Sequence, residues 1–177
     1  MVTHNRLDQI GTDSRSGPAS RSASATAGLR IDFGNDQLPD GTLKLLHAIW
    51  EAGCDDGKLA SRAHFDPVTI PTKLLPWITI FDVTYDPVRY RVRIVGTGLV
   101  GAMGVDTTGS YLDELAGFDR VIARANWLLD HRKAFFLENL PLTWVHERYS
   151  RYSVVGLPLA SNGRDIDMLL YGMSFGY

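Results

Sequence analysis

The chain has 177 residues, of which 45% are hydrophobic and 21% charged, values typical of one soluble domain with a single core. Its 18 Lys and Arg and 20 Asp and Glu give a formal net charge of −2, which argues against nucleic acid or an anionic membrane as a partner. The single cysteine excludes an internal disulfide, and no apolar run approaches the roughly 20 residues that span a bilayer. We therefore expect a cytoplasmic protein.

The N-terminal part of the sequence divides into a tail and a helical segment. Residues 1–36 are predicted to be a disordered tail, because the stretch 11–28 is built from Ser, Ala, Gly, Thr, Pro, Arg and one Asp and has no large apolar side chain to bury. Residues 37–76 are predicted to hold a helix, from a capping Asp40 to Gly53, and a lead-in loop. Trp50 on this helix is a candidate for contact with a second copy of the chain, and packing in its own core is the open alternative.

The remainder, residues 77–177, is predicted to form the core domain. Its β-branched and aromatic runs and its helical periodicity predict strands at 77–83 and 88–95, a helix at 118–132, and strands at 134–144, 149–160 and 165–175. This order predicts an α+β fold, in which a five-stranded antiparallel sheet has its helices packed on one face and the N-terminal helix as an extension.

Several segments of this core resemble one known family. They are residues 91–97 (RVRIVGT), 104–109 (GVDTTG), 112–115 (LDEL) and 155–159 (VGLPL). From about Leu45 to Phe175 the chain resembles bacterial stand-alone PAS proteins. The resemblance implies a PAS-like five-stranded sheet around a site that in various relatives holds haem, flavin, a small acid or nothing. It also implies a sensory or regulatory module that signals by contact with another protein and is not an enzyme.

Residues 96–101 match the spacing Gly-x-Gly-x-x-Gly after a predicted strand. Such a loop can bring a helix N-terminus close to a dinucleotide pyrophosphate. The context argues against that interpretation, because Arg91 and Arg93 alternate with apolar residues on the preceding strand, whereas the first strand of a doubly wound sheet is buried on both faces.

Haem and flavin are both disfavoured, and no cofactor is clearly implied. In haem-binding relatives a His on the longer helix ligates the iron, but helical geometry places His131 away from the apolar stripe of its helix. Light-sensing flavin relatives need a reactive thiol in the helical insert, whereas Cys54 precedes the first strand. The sequence also offers no metal site.

Two sets of residues are candidates for binding. Met103, Phe136, Tyr152 and Tyr171 are candidates for a ligand pocket, with a role as plain core side chains as the alternative. On the helix at 118–132, the side opposite the apolar stripe is predicted to present Arg124, Trp127 and His131, together with Arg120, to a partner, since Trp beside Arg is typical of interfaces. We expect a homodimer, an unidentified cytoplasmic signalling protein as partner, and a small molecule as an additional input.

Two alternative functions remain open from the sequence. The first is a sensor whose output depends on haem or another small ligand. The second is a small α+β enzyme, for which the candidate acid and base pairs are Asp130 with His131 and Asp82 with His146. Against an enzyme, the sequence has no Gly-x-Ser-x-Gly elbow, and His146-Glu147 lacks the second His of a zinc helix.

Overall fold

The computed structural model describes residues 26–39, 41–66, 68, 70–142 and 150–176. The helices are α1 Gly41–Gly53, α2 Thr97–Met103 and α3 Asp119–His131, and the strands are β1 Ile78–Thr84, β2 Arg89–Val95, β3 Phe135–Pro141, β4 Arg151–Leu159 and β5 Met168–Gly176. Short 3-10 turns at Asn35–Gln37, Arg62–Phe65, Thr72–Trp77 and Leu112–Glu114 link them. Most of the predicted tail, the capping Asp40 and His146 lie outside the described residues.

The five strands form one antiparallel sheet in the order β2-β1-β5-β4-β3. Strands that follow one another in the chain pair as hairpins: β1 with β2, β3 with β4, and β4 with β5. In the centre of the sheet, β1 pairs with β5. Each of the five predicted strands overlaps one of these strands. The predicted α+β class with a five-stranded antiparallel sheet is therefore confirmed.

Helices cover both faces of this sheet. On one face, α1 places Leu43 and Leu46 against β5, where a Cβ at Gly172 would lie 2.3 Å from the Cδ1 of Leu46. On the other face, Ala125 and Leu128 of α3 pack against a second buried cluster. The prediction of helices on one face with α1 as an extension is therefore wrong, because β4 is buried on both of its faces and each face needs a cover. No helix in the described ranges is long and apolar enough to cross a membrane.

The segment before α1 packs along the outer strand of the sheet. The amide of Arg30 donates to the carbonyl of Phe136 at 2.8 Å, and the amide of Phe136 donates back at 2.9 Å. Phe33 is buried, with its ring centroid 5.8 Å from that of Phe136 and 4.7 Å from that of His47. The predicted tail boundary at residue 36 is therefore too late, since the packed part of the chain includes Arg30 and Phe33. The sequence around them gave no periodic signal that could have revealed this.

Candidate functional site

A cavity of about 150 Å³ lies between one face of the sheet and the helices α2 and α3. The strands contribute Thr79, Phe81, Val95, Tyr152, Val154, Tyr171 and Met173, and the helices and the loop between them contribute Leu99, Met103, Val105, Thr107, Gly117, Phe118, Val121 and Arg124. Most of these side chains are apolar. An apolar lining with a few polar groups is the usual composition of a small-molecule site.

The glycines of residues 96–101 position α2 at the edge of this cavity. A Cβ at Gly96 would lie 2.4 Å from the carbonyl oxygens of Leu75 and Pro76, and a Cβ at Gly98 would lie 2.8 Å from the Pro76 oxygen. The glycines therefore allow the helix to touch the Thr72–Trp77 turn. The dinucleotide interpretation does not hold, because the described sheet is antiparallel throughout and a short helix packed on this turn leaves no loop to hold pyrophosphate.

Arg89 on β2 holds the loop between α2 and α3 against the sheet. Its guanidinium donates to the carboxylates of Asp113 at 2.9 Å and Glu114 at 2.7 Å, and it lies 3.8 Å from the ring centroid of Tyr111. The hydrogen bond from Arg89 lowers the pKa of the Asp113 carboxyl. These contacts hold to β2 the loop that carries the lining residues Val105, Thr107 and Gly117.

Tyr171 supplies the most unusual polar group of the site. The residue is 4% exposed, its ring meets the rings of Phe81 and Phe135 edge-on at 5.2 and 5.7 Å, and its hydroxyl has no hydrogen-bond partner among the described residues. Burial raises the pKa of the Tyr171 phenol above its usual range, and the nearby positive charge of Arg124 opposes that rise. A buried hydroxyl is normally hydrogen-bonded, so this one points to a missing acceptor.

Arg124 is the one charged residue among the described residues that line the cavity. It is 8% exposed and lines the cavity from α3. Its predicted place on the solvent side of the helix is therefore wrong. Phe118 and Val121 line the same cavity, so the buried side of α3 is wider than the predicted apolar stripe and includes Arg124. The regular spacing from Phe118 through Val121 to Arg124 is the one sequence signal that could have identified it.

Three of the four predicted ligand residues lie at the cavity. Met103, Tyr152 and Tyr171 line it. Phe136 does not, because it faces the layer on the other side of the sheet, where Phe33 packs against it and the Arg30 guanidinium lies 5.5 Å from its ring centroid. Phe135, its neighbour in the chain, faces the cavity side. The sequence could not choose between the two, because β3 is buried on both faces at its start.

The other predicted interface residues are engaged within the chain. Trp127 is half-buried and meets the ring of Phe135 edge-on at 6.1 Å, while the exposed His131 ring stacks on Trp127 with centroids 4.3 Å apart. The indole of Trp50 donates to the carbonyl of Pro158 at 2.8 Å. Contact of these residues with a second copy or a partner stays a prediction.

The residues at the cavity do not fit the ligation of haem iron or a flavin–thiol adduct, because no His or Cys is among the described lining residues. His131 is exposed, with its Nδ1 donating to the carbonyl of Trp127 at 3.0 Å, and Cys54 packs in the layer on the other face of the sheet. Within the described ranges, no group of three or more His, Cys, Asp or Glu could hold a metal ion.

The candidate acid and base pairs do not lie at the cavity. Asp130 and His131 are both exposed, and the Asp82 carboxylate accepts a hydrogen bond from Arg93 at 2.5 Å. Its proposed partner, His146, lies outside the described residues. None of these described groups lines the cavity.

Replacing Tyr171 by phenylalanine will leave the ligand-free protein equally stable or stabilise it by up to about 1 kcal/mol, because the change removes a buried hydroxyl that has no hydrogen-bond partner in the described part of the chain. Tyr90→Phe is the matched control. Its hydroxyl donates to the Oδ1 of Asn126 at 2.5 Å, and its removal will cost about 1 kcal/mol. Urea unfolding of ligand-free protein measures both changes. An equal loss of stability in the two variants would show that the Tyr171 hydroxyl is hydrogen-bonded like that of Tyr90.

Comparison with known proteins finds no match to this chain: no family model, no curated protein and no solved structure matches it.

Proposed function

We propose that the chain is a PAS-like regulatory module that binds a small molecule and signals by noncovalent contact with a cytoplasmic protein. The observation that carries this proposal is the apolar cavity that holds the buried Arg124 and the hydroxyl of Tyr171, for which the described residues offer no hydrogen-bond partner. An antiparallel sheet with short helices and one longer helix between β2 and β3 also agrees with what the resemblance to stand-alone PAS proteins implies.

The helix α3 offers a route from the cavity to the surface. Val121 and Arg124 line the cavity, and Trp127 and His131 follow on the next turns, where the His131 ring is exposed. Because a helix moves as a rigid element, a ligand that repositions Arg124 also repositions the stacked pair of Trp127 and His131. This pair is our proposed output surface, for a second copy of the chain or for a signalling partner.

The polar groups of the cavity favour binding over catalysis. Those among the described lining residues are hydroxyls and one guanidinium, carried by Thr79, Thr107, Tyr152, Tyr171 and Arg124. None of these is a general base at neutral pH, since an arginine stays protonated and burial raises the pKa of Tyr171. These groups can orient a ligand by hydrogen bonds and charge.

Native mass spectrometry of the full chain tests the proposal. We expect a homodimer that retains a small molecule, which is released when the protein is denatured, and a solution without a visible absorption band. The variant Val121→Phe places a larger ring in the cavity and will lose the retained molecule while its far-ultraviolet circular dichroism is unchanged. An empty protein, or a molecule that Val121→Phe retains equally well, would contradict ligand binding in this cavity.

A further inference from the structure

The segment before α1 lies on the domain as a strap, defined here as residues 30–38. Its two buried side chains are Phe33 and Leu38, while its other residues are exposed or half-buried. Its backbone joins the outer strand β3 through the two hydrogen bonds between Arg30 and Phe136. Its ion pairs to Glu138 and Lys133 lie at the surface, where such pairs contribute little to stability. With so few anchors, the strap can separate from the sheet while the rest of the domain stays folded.

The contact between the strap and α1 is centred on His47. This residue is 2% exposed. Its ring lies between those of Phe33 on the strap and Trp50 on its own helix, with centroid distances of 4.7 and 5.8 Å. Its Nδ1 lies 2.8 Å from the Oδ1 of Asn35, also on the strap. Because an amide oxygen only accepts hydrogen bonds, Nδ1 is the donor. The strap therefore supplies both a covering ring and a hydrogen-bond acceptor to this histidine.

One charged group among the described residues acts on the charge of His47. It is the Glu51 carboxylate on the next turn of α1, 3.5 Å from the Nδ1 of His47, and its side chain is 51% exposed. Burial lowers the pKa of His47 below its usual value, and the charge of Glu51 opposes this shift without reversing it. From the sheet, the apolar Phe136 packs against Phe33. The charged residues of the strap are all exposed: Arg30, Asp32 and Asp36.

Protonation of His47 opposes the docking of the strap. The protonated ring carries a second N–H group and a positive charge, which the docked strap keeps from water. When the strap separates, water reaches the ring, and the pKa of His47 rises toward its usual value of about 6.5. Docking is therefore fully favoured above about pH 6.5, and this advantage is lost as the pH falls below that value toward the lowered pKa of the docked state.

We propose that the strap is a pH-sensitive cover, which protonation of His47 releases from α1 and β3. Release uncovers the ring of Phe136 and frees its backbone amide and carbonyl. Such a free strand edge can pair with another strand. Phe33 and Leu38 pack in the layer on the face of the sheet opposite the cavity, so this inference goes beyond the proposed function and does not depend on a ligand.

Amide hydrogen exchange of the full chain, measured by NMR from about pH 7.5 to about pH 5.5 and corrected for intrinsic exchange rates, tests the release. We expect the protection of the Arg30 and Phe136 amides to fall by about two- to tenfold, because release is coupled to the uptake of one proton. Amides of β1 and β5 in the centre of the sheet will keep their protection. A fall of less than about twofold at Arg30 and Phe136, or a rise at acid pH, would overturn the proposal.

Two variants assign the trigger to His47. His47→Gln keeps an N–H donor for Asn35 but takes up no proton, so it will lose the pH response. His64→Gln, which replaces an exposed histidine, will keep the response and is the matched control. A pH response that persists in His47→Gln would overturn the assignment.

A reciprocal measurement tests the same coupling without a change at His47. Phe33→Ala removes the ring with which the strap covers the histidine. Because coupling between docking and protonation acts in both directions, the His47 ring, titrated by NMR, will show a higher pKa in this variant than in the unchanged chain. An equal pKa of His47 in the two proteins would show that the strap and the proton do not compete, and would overturn the proposal.

Discussion

Replacing Gly96 by alanine is expected to lower the free energy of unfolding by about 3 kcal/mol, the upper end of the usual cost of overpacking. The added Cβ would lie 2.4 Å from the carbonyl oxygens of Leu75 and Pro76. These are backbone atoms, so they cannot move aside as the end of a flexible side chain can. The loss will appear as a lower urea midpoint with an unchanged slope, because the fold itself stays the same.

Gly101→Ala is the matched control, since it changes the last glycine of the same Gly-x-Gly-x-x-Gly stretch. No atom lies within 4 Å of a Cβ at Gly101, and the residue is exposed in the middle of α2. Alanine there will stabilise the protein by about 0.5–1 kcal/mol, because it restricts the unfolded chain and favours the helix. An equal change in the free energy of unfolding at the two positions would contradict the close packing of Gly96 on the Thr72–Trp77 turn.

Phe135→Ala is expected to cost about 4 kcal/mol, as is usual when a buried phenylalanine is removed. The side chain is completely buried, and its ring lies against both Tyr171 and Trp127, at centroid distances of 5.7 and 6.1 Å. Its removal leaves a void beside the cavity and loosens the support of Tyr171. We expect the variant to unfold at a much lower temperature in differential scanning calorimetry.

A double-mutant cycle identifies the packing partner of Phe135. The ring lies over Gly156, its partner across β3 and β4, and a Cβ at Gly156 would lie 2.3 Å from the Cε1 of Phe135. Gly156→Ala alone will therefore destabilise the protein, by about 1–3 kcal/mol. In the Phe135→Ala background the new methyl group fits the void, so the combined loss will be smaller than the sum by at least about 1 kcal/mol. Additive losses would contradict this contact.

Local patterns in the sequence were sufficient for α1, α3, the five strands and their order. The alternation of Tyr90 and Val92 with Arg91 and Arg93 predicts β2, and the side chains of Tyr90 and Val92 are buried while both arginines are exposed. The periodicity of residues 118–132 predicts α3, which spans Asp119–His131. Such patterns depend on residues that are close together in the sequence, so they can be recognised without knowledge of the tertiary contacts.

The candidate site was predictable only in part, for reasons that Arg124 and Phe136 show. A helical wheel assigns charged residues to solvent, but Arg124 is 8% exposed and lines the cavity together with Thr107 and Gly117 of the segment between α2 and α3. Phe135 and Phe136 are both apolar neighbours on a strand covered on two faces, so alternation offers no signal for the side on which each lies. The burial of Arg124 and the face of β3 on which Phe136 lies both depend on which helices and loops pack against each side of α3 and of the sheet.

The sequence by itself determined that the chain forms an α+β domain with five antiparallel strands, because turn residues and apolar periodicity are properties of short stretches of chain. The tertiary structure alone decided that α1 covers the second face of the sheet, that residues 30–38 pack beside β3, and that Arg124 and Tyr171 meet at one cavity. Burial and the pairing of polar groups are set by residues far apart in the chain, and their positions follow from the packing of the whole domain.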